Sequence, residues 1–261
     1  MPLIWQNHKF LDWLKWWFII DSLSFLVVAI VSGAIAGIIL GLINLALVEP
    51  YLDKAIGIEV QNAIEAGETV DAQEQDNYRF WQKGGEIFAG AVFGMAFGSL
   101  LGIVFVFGRK LISGSNIKKA MIFSGILWLV IFMLPLIKYP ANPPTVGDPE
   151  TIEYRQLLYI SFISISGISA LVLSILYNRM TAKSPTIKIS IVSGIYAGIM
   201  IVSFIAMPSN PDEITAPMDL VNGFRLASMF TMATFWIVLG ITFGILWEKL
   251  KPYDKTQLKM T

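Results

Sequence analysis

The chain has 261 residues, of which 55% are hydrophobic and 15% charged, with a formal net charge of zero. A mean hydropathy of +0.65 is too high for an ordinary soluble domain, so the natural solvent of this chain is a bilayer. The lack of a basic excess argues against a nucleic-acid partner, and the lack of cysteine excludes disulfides and thiolate metal sites.

The first segment, 1–21, interleaves Trp5, Phe10, Trp13, Leu14, Trp16 and Trp17 with His8, Lys9, Asp12 and Lys15. It has no short apolar core ahead of a small-residue cleavage site, so it reads as an amphipathic helix at the membrane interface and not as a cleaved leader. A helix that docks a partner is the sharper alternative. A membrane-spanning helix needs about 20 apolar residues, and six runs qualify: Ser22–Val48, Gly85–Gly108, Ile117–Ile137, Gln156–Tyr177, Ile187–Met207 and Phe224–Trp247. The expected fold is therefore an all-α integral membrane protein of about six transmembrane helices. It comprises the interfacial segment, a single transmembrane domain over 22–248 and a basic tail over 249–261.

Sign of charge sorts along the chain. Lys9 and Lys15, then Arg109, Lys110, Lys118 and Lys119, then Arg179, Lys183 and Lys188, then Lys249, Lys251, Lys255 and Lys259 occupy the N-terminus, alternate loops and the C-terminus. The positive-inside rule then predicts that both termini are cytoplasmic. The other three connections carry Glu49, Asp53, Glu59, Glu65, Glu68, Asp71, Glu74 and Asp76, then Asp148, Glu150 and Glu153, then Asp212, Glu213 and Asp219. These acidic connections are expected outside.

A weak repeat overlies this pattern. A small-residue step recurs at Val31 to Gly33, Phe123 to Gly125 and Val192 to Gly194. Each odd span runs into Pro50, Pro140 or Pro208, and each even span is introduced by an aromatic-arginine pair ending in Arg79, Arg155 or Arg225. The tripeptide at Asn142 to Pro144 is echoed at Asn210 to Asp212. Three parallel helical hairpins would produce such a pattern. The alternative is chance, since small residues pack membrane helices and arginines snorkel at their ends.

Within the spans, Gly33, Gly37 and Gly41 form one strip, and Gly90, Gly94, Gly98 and Gly102 another at four-residue spacing. Both suit close packing of the first two spans, with a narrow pathway lined by backbone as the alternative. Asn44 and Glu86 are the polar residues near these strips. An ionisable residue at the start of a span is a functional candidate, although Glu86 also suits a helix N-terminus. Glu49 and Asp53 are four residues apart and could share a helical face, with Glu59 beyond them, although Pro50 makes Glu49 a natural helix boundary. Such carboxylates could gather a hydrated divalent cation or simply be solvated. The run EAGETVDAQEQD reads as an exposed loop tip.

The stretch KYPANPPTVGDPETIEYR from Lys138 to Arg155 is a constrained connection between two spans. Asn142 precedes Pro143 and is pushed out of helical conformation. Gly147-Asp148-Pro149 makes a turn, and Asp148 or Thr151 can cap the following helix. Asn142, Asp148 and Glu150 are the candidate polar groups of this rigid lid.

This loop, in the context LPLIKYPANPPTVGDPETIEYR, resembles the signature of the CbtA family of proposed cobalt transporter subunits. So do GAIAGIILGLINLALVEPYLDKAIGIE and KGGEIFAGAVFGMAFGSLLGIVF. The resemblance implies a membrane subunit in cobalt uptake, working beside a small His-bearing membrane subunit, and a fold with five spans where the runs number six. Cobalt binds imidazole well, yet the only histidine is His8. A cobalt site in the acidic connections would draw on Glu49, Asp53, Glu59, Glu86, Asn142, Asp148 and Glu150, on Met133, Met207 or Met218, or on a partner's ligands. No bound cofactor is expected, only a transported divalent cation such as cobalt.

No metalloprotease HExxH, GxSxG elbow, Walker loop or pair of intramembrane aspartates is present, so an enzyme is not expected. Two function classes follow: a subunit for divalent-cation uptake, and a non-transporting scaffold or accessory subunit of a larger membrane complex. Oligomeric state is open in both.

Overall fold

The computed structural model describes residues 22–144, 146–181 and 184–252. The interfacial helix expected over 1–21, and most of the basic tail, lie outside the described residues. Seven long helical segments follow in chain order: α1 (Ser22–Leu47), α2 (Glu49–Glu65), α3 (Ala72–Gly108), α4 (Asn116–Lys138), α5 (Ile152–Arg179), α6 (Pro185–Ala206) and α7 (Met218–Leu250). Among the described residues all but α2 are long and apolar enough to cross a membrane, which makes six candidate spans. The described fold is all-helical, as the apolar runs imply.

Helix ends extend past those runs because local capping, and not bilayer thickness, decides where a helix stops. The apolar run behind α3 begins at Gly85, whereas the helix begins at Ala72 and has 37 residues. At 1.5 Å per residue that is about 55 Å, well beyond a hydrocarbon core of about 30 Å. Asp71 sets the start, its Oδ1 accepting from the amides of Gln73 and Glu74. The added turns carry Tyr78, Phe80 and Trp81, all strongly exposed, beside Arg79 and Lys83, the composition of a membrane-water boundary. The acidic connection after α1 is itself helical. Glu49 opens α2 with Pro50 in its first turn, and Gly67 closes it at φ +88°.

Two compact units emerge within the described residues. The first comprises 22–45, 76–125 and 231–252. Here the two glycine strips of α1 and α3 meet backbone to backbone. A Cβ on Gly37 would lie 1.9 Å from the Gly90 carbonyl oxygen, and one on Gly33 would lie 2.1 Å from that of Gly94. No side chain larger than hydrogen fits. Beside this seam is an aromatic core: Phe97 edges onto Trp236 at 5.3 Å, Phe105 sits 4.7 Å from Trp247, and Phe243 stacks on Trp247 at 5.6 Å. Glu248 Oε1 caps α4 by accepting from the Asn116 amide at 3.0 Å.

The second unit comprises 46–75 and 126–230. Its core is Tyr139, Leu158, Phe162 and Met200, with Leu134, Tyr159, Tyr196 and Met207 packed around them. Gly223 of α7 lies against the ring of Tyr51 in α2, where a Cβ would come within 2.2 Å of the ring.

Candidate functional site

Pro135 shapes the interior of the second unit. A proline cannot donate from its backbone nitrogen, and its ring crowds the preceding turn. Just before it, Trp128–Met133 forms a π-helical turn, and the Leu134 amide donates to the Leu129 carbonyl, five residues back. The carbonyl of Val130 thereby loses its α-helical donor, Leu134, and its π-helical donor would be residue 135, which has none. Ser166 of α5 fills the gap: its hydroxyl donates to the Val130 oxygen at 2.6 Å and lies 2.7 Å from the Tyr196 hydroxyl of α6. One proline thus creates a buried polar cluster joining α4, α5 and α6.

At the C-terminal end of α4 the chain enters the proline-rich loop. Tyr139 is buried and donates to the Pro208 carbonyl at 2.7 Å. Its phenol is pushed above the usual tyrosine range, first by burial and then by Tyr154. Asp148 caps the 3-10 turn Pro149–Thr151, its side chain accepting from the Glu150 amide at 2.8 Å. Gly147 holds φ +99°.

The α4–α5 and α6–α7 loops lock each other through two of the three arginines of the repeat, Arg155 and Arg225. Arg155 Nε pairs with Asp212 Oδ2 at 2.9 Å, and its terminal nitrogens donate to the carbonyls of Val146 and Asp148. The Thr151 hydroxyl lies 2.7 Å from the same Asp212 oxygen. Arg225 donates to the Ala141 carbonyl at 3.2 Å and to Asn142 Oδ1 at 2.7 Å. Asn210, the repeat counterpart of Asn142, accepts the Asp212 amide on its Oδ1 at 3.2 Å.

These bonds brace one wall of a recess of about 770 Å³, within the size range of small-molecule sites. Asn142, Asn210, Arg155, Gln156, Tyr159 and Glu59 supply its polar lining, and prolines of the loop with Phe132, Leu136 and Leu158 supply apolar wall.

Of the carboxylates and amides singled out in the sequence, Glu59 and Asn142 line this recess together. Asp148 and Glu150 are exposed on the turn beside it. In α2, Glu49 is buried, with only 5% of its surface exposed, while Asp53 is exposed. Glu86 is half-buried in the first unit. Among the described residues no three His, Cys, Asp or Glu side chains gather closely enough to hold a metal ion. The sequence reading missed the pairing of Arg155 with Asp212 and the roles of Asn210, Arg225, Ser166 and Tyr196. The repeat did mark both arginines and both asparagines, and was the available signal.

A family model described as probable cobalt transporter subunit (CbtA) matches residues 23–248. No curated protein and no solved structure matches the chain.

Proposed function

This chain belongs to the CbtA family of probable cobalt transporter subunits, and on that premise we propose that it is a membrane subunit for uptake of a divalent cation, cobalt being the family's cargo. The observation that carries the reading is the family match over residues 23–248, nearly the whole described chain. In this reading both termini are cytoplasmic, so the acidic helix α2 and the α4–α5 and α6–α7 loops face outward. Asp53, Asp148 and Glu150, all exposed, raise the local cation concentration, the buried Glu49 stands behind them at the start of α2, Glu59 and Asn142 border the entrance, and Glu86 acts at the start of its span. Hard oxygen donors of this kind exchange hydrated cations quickly and select among them poorly. Selection for cobalt would then come from a partner, and a small His-bearing membrane subunit supplies the missing imidazoles. The chain has no nucleotide-binding loop, so accumulation draws on an ion gradient or on another subunit.

The test is metal accumulation by cells carrying the wild-type chain or the joint variant Glu49→Gln, Asp53→Asn, Glu86→Gln. Accumulation is expected to fall severalfold in the variant at low external cobalt. Unchanged accumulation in the variant would remove these carboxylates from the mechanism. A second reading, an accessory scaffold, is favoured by α6, in which Met200 is the buried residue and Gly194 and Gly198 meet nothing within 4 Å. Stable co-purification of a larger complex, with no flux in vesicles, would select it.

A further inference from the structure

The polar groups that line the recess fall into two sets. Asn142, Asn210 and Arg155 are held by the interlocked loops: Arg225 donates to the Asn142 oxygen at 2.7 Å, the Asp212 amide donates to the Asn210 oxygen at 3.2 Å, and Arg155 pairs with Asp212 at 2.9 Å. The positive charge of Arg155 is therefore balanced where it stands. Lys138, at the entry to the loop, is committed as well, its Nζ donating to the Phe204 carbonyl at 2.8 Å. The second set is Glu59, Gln156 and Tyr159, which line the same recess and whose side chains have no hydrogen-bond or ion-pair partner among the described residues. Each of the three carries an oxygen that accepts hydrogen bonds, and Glu59 adds a negative charge. Asp148 and Glu150, exposed on the turn beside the recess, reinforce that sign. The remaining wall, Phe132, Leu136 and Leu158 among it, is apolar.

This make-up favours a cation with an apolar body. A metal dication needs about six oxygen ligands or an intact water shell, and one carboxylate among apolar walls supplies neither. A primary ammonium needs less. It carries one charge, three N–H donors and no acceptor, and its apolar substituent is stabilised by contact with just such walls. A volume of about 770 Å³ accommodates a molecule of that kind.

We propose that the recess binds an organic primary ammonium, with Glu59 as its counter-ion and Gln156 and Tyr159 as hydrogen-bond acceptors. The ammonium belongs to a free amine or to the headgroup of an aminophospholipid, which share this chemistry. One side of the site is preorganised, because Pro140 and Pro143 fix the loop backbone and the arginine contacts fix the loops to each other, so little ordering entropy is lost on binding. The site does not rest on the transport reading above. On that reading Glu59 attracts a passing dication without holding it.

The experiment is equilibrium dialysis of radiolabelled phenethylamine against the full chain in phosphatidylcholine nanodiscs, corrected for empty discs, for wild type, Glu59→Gln, Tyr159→Phe and Gln156→Glu. Unlabelled 3-phenylpropionate and cobalt(II) chloride serve as competitors, and thermal melting without ligand checks that each variant is folded. The amine is expected to bind wild type, and to bind Glu59→Gln at least roughly tenfold more weakly, as loss of a charge-assisted bond implies. Tyr159→Phe, which keeps the ring, should weaken binding by a smaller factor. Gln156→Glu brings a second carboxylate to the recess and should tighten binding, a gain that misfolding cannot imitate. Equal binding by wild type and Glu59→Gln would overturn the proposal, as would displacement of the amine by 3-phenylpropionate or by an equimolar amount of cobalt(II) chloride. Phosphatidylethanolamine added to the discs separates the two sources. Loss of phenethylamine binding then supports a lipid headgroup as occupant, and retained binding supports a free amine. If the amine binds as expected but no cobalt enters vesicles, the ammonium site stands and the transport reading fails.

Discussion

Gly147 is the residue on which the locked loops depend most narrowly. Its φ of +99° suits glycine alone, and a Cβ there would lie 2.5 Å from both Arg155 Nη1 and Asp212 Oδ2. Gly147→Ala should therefore strain the backbone and part the ion pair, at about 1–3 kcal/mol, seen as a lower melting temperature in detergent. Asp212→Asn leaves the Arg155 charge half-buried without its counter-ion and should cost about 3 kcal/mol by the same measurement. Tyr139 adds a pH dependence. Its folded-state phenol titrates above the unfolded value, so its contribution is fully present below about pH 10 and is lost as pH rises through the raised folded value. Tyr139→Phe removes the bond to Pro208, costing about 1 kcal/mol at pH 8, and this gap between the two proteins should shrink in strongly alkaline buffer.

At the scale of elements, the glycine strips were legible in the sequence and the π-helical turn was not. Four-residue spacing of glycines has one dominant physical use between membrane helices, and the contacts of Gly33 and Gly37 with Gly94 and Gly90 follow it. Gly37→Ala forces the α1 and α3 backbones apart and should destabilise the first unit by at least about 1–3 kcal/mol, measured by urea or dodecyl sulfate unfolding. Pro135 was equally visible in the sequence, but its consequence was hidden. Whether a helix absorbs a missing donor by kinking, stopping or widening into a π turn depends on a partner such as Ser166, which lies on another helix. The two sites should therefore be coupled: Ser166→Ala should cost about 1–3 kcal/mol in the wild-type background. It should cost much less with Pro135→Ala, which restores a donor to the α4 backbone. A double-mutant cycle by thermal unfolding reads the difference. The loop was legible as a constrained turn with an Asp148 cap. Its interlock was not, because Arg155 and Asp212 are 57 positions apart and charge pairing at that distance leaves no local pattern.

For the whole molecule, composition and the six apolar runs were enough to establish a multi-span membrane protein, because a bilayer punishes unpaired backbone and charge so strongly that span patterns survive in any sequence. Cargo is a different matter. Carboxylates scattered over loops look the same whether they are solvated or bind metal, and only the fold reveals that Glu59, Asn142 and Asn210 line one recess while Glu49 is buried in α2. Whether this chain is a subunit for uptake of a divalent cation is decided by radiolabelled cobalt entry into proteoliposomes. The chain would be reconstituted alone and then with a His-bearing membrane partner, under an imposed ion gradient. Protein-dependent, saturable entry that requires the gradient, the partner or both is expected. Entry no faster than in protein-free vesicles under every one of these conditions would contradict the uptake role.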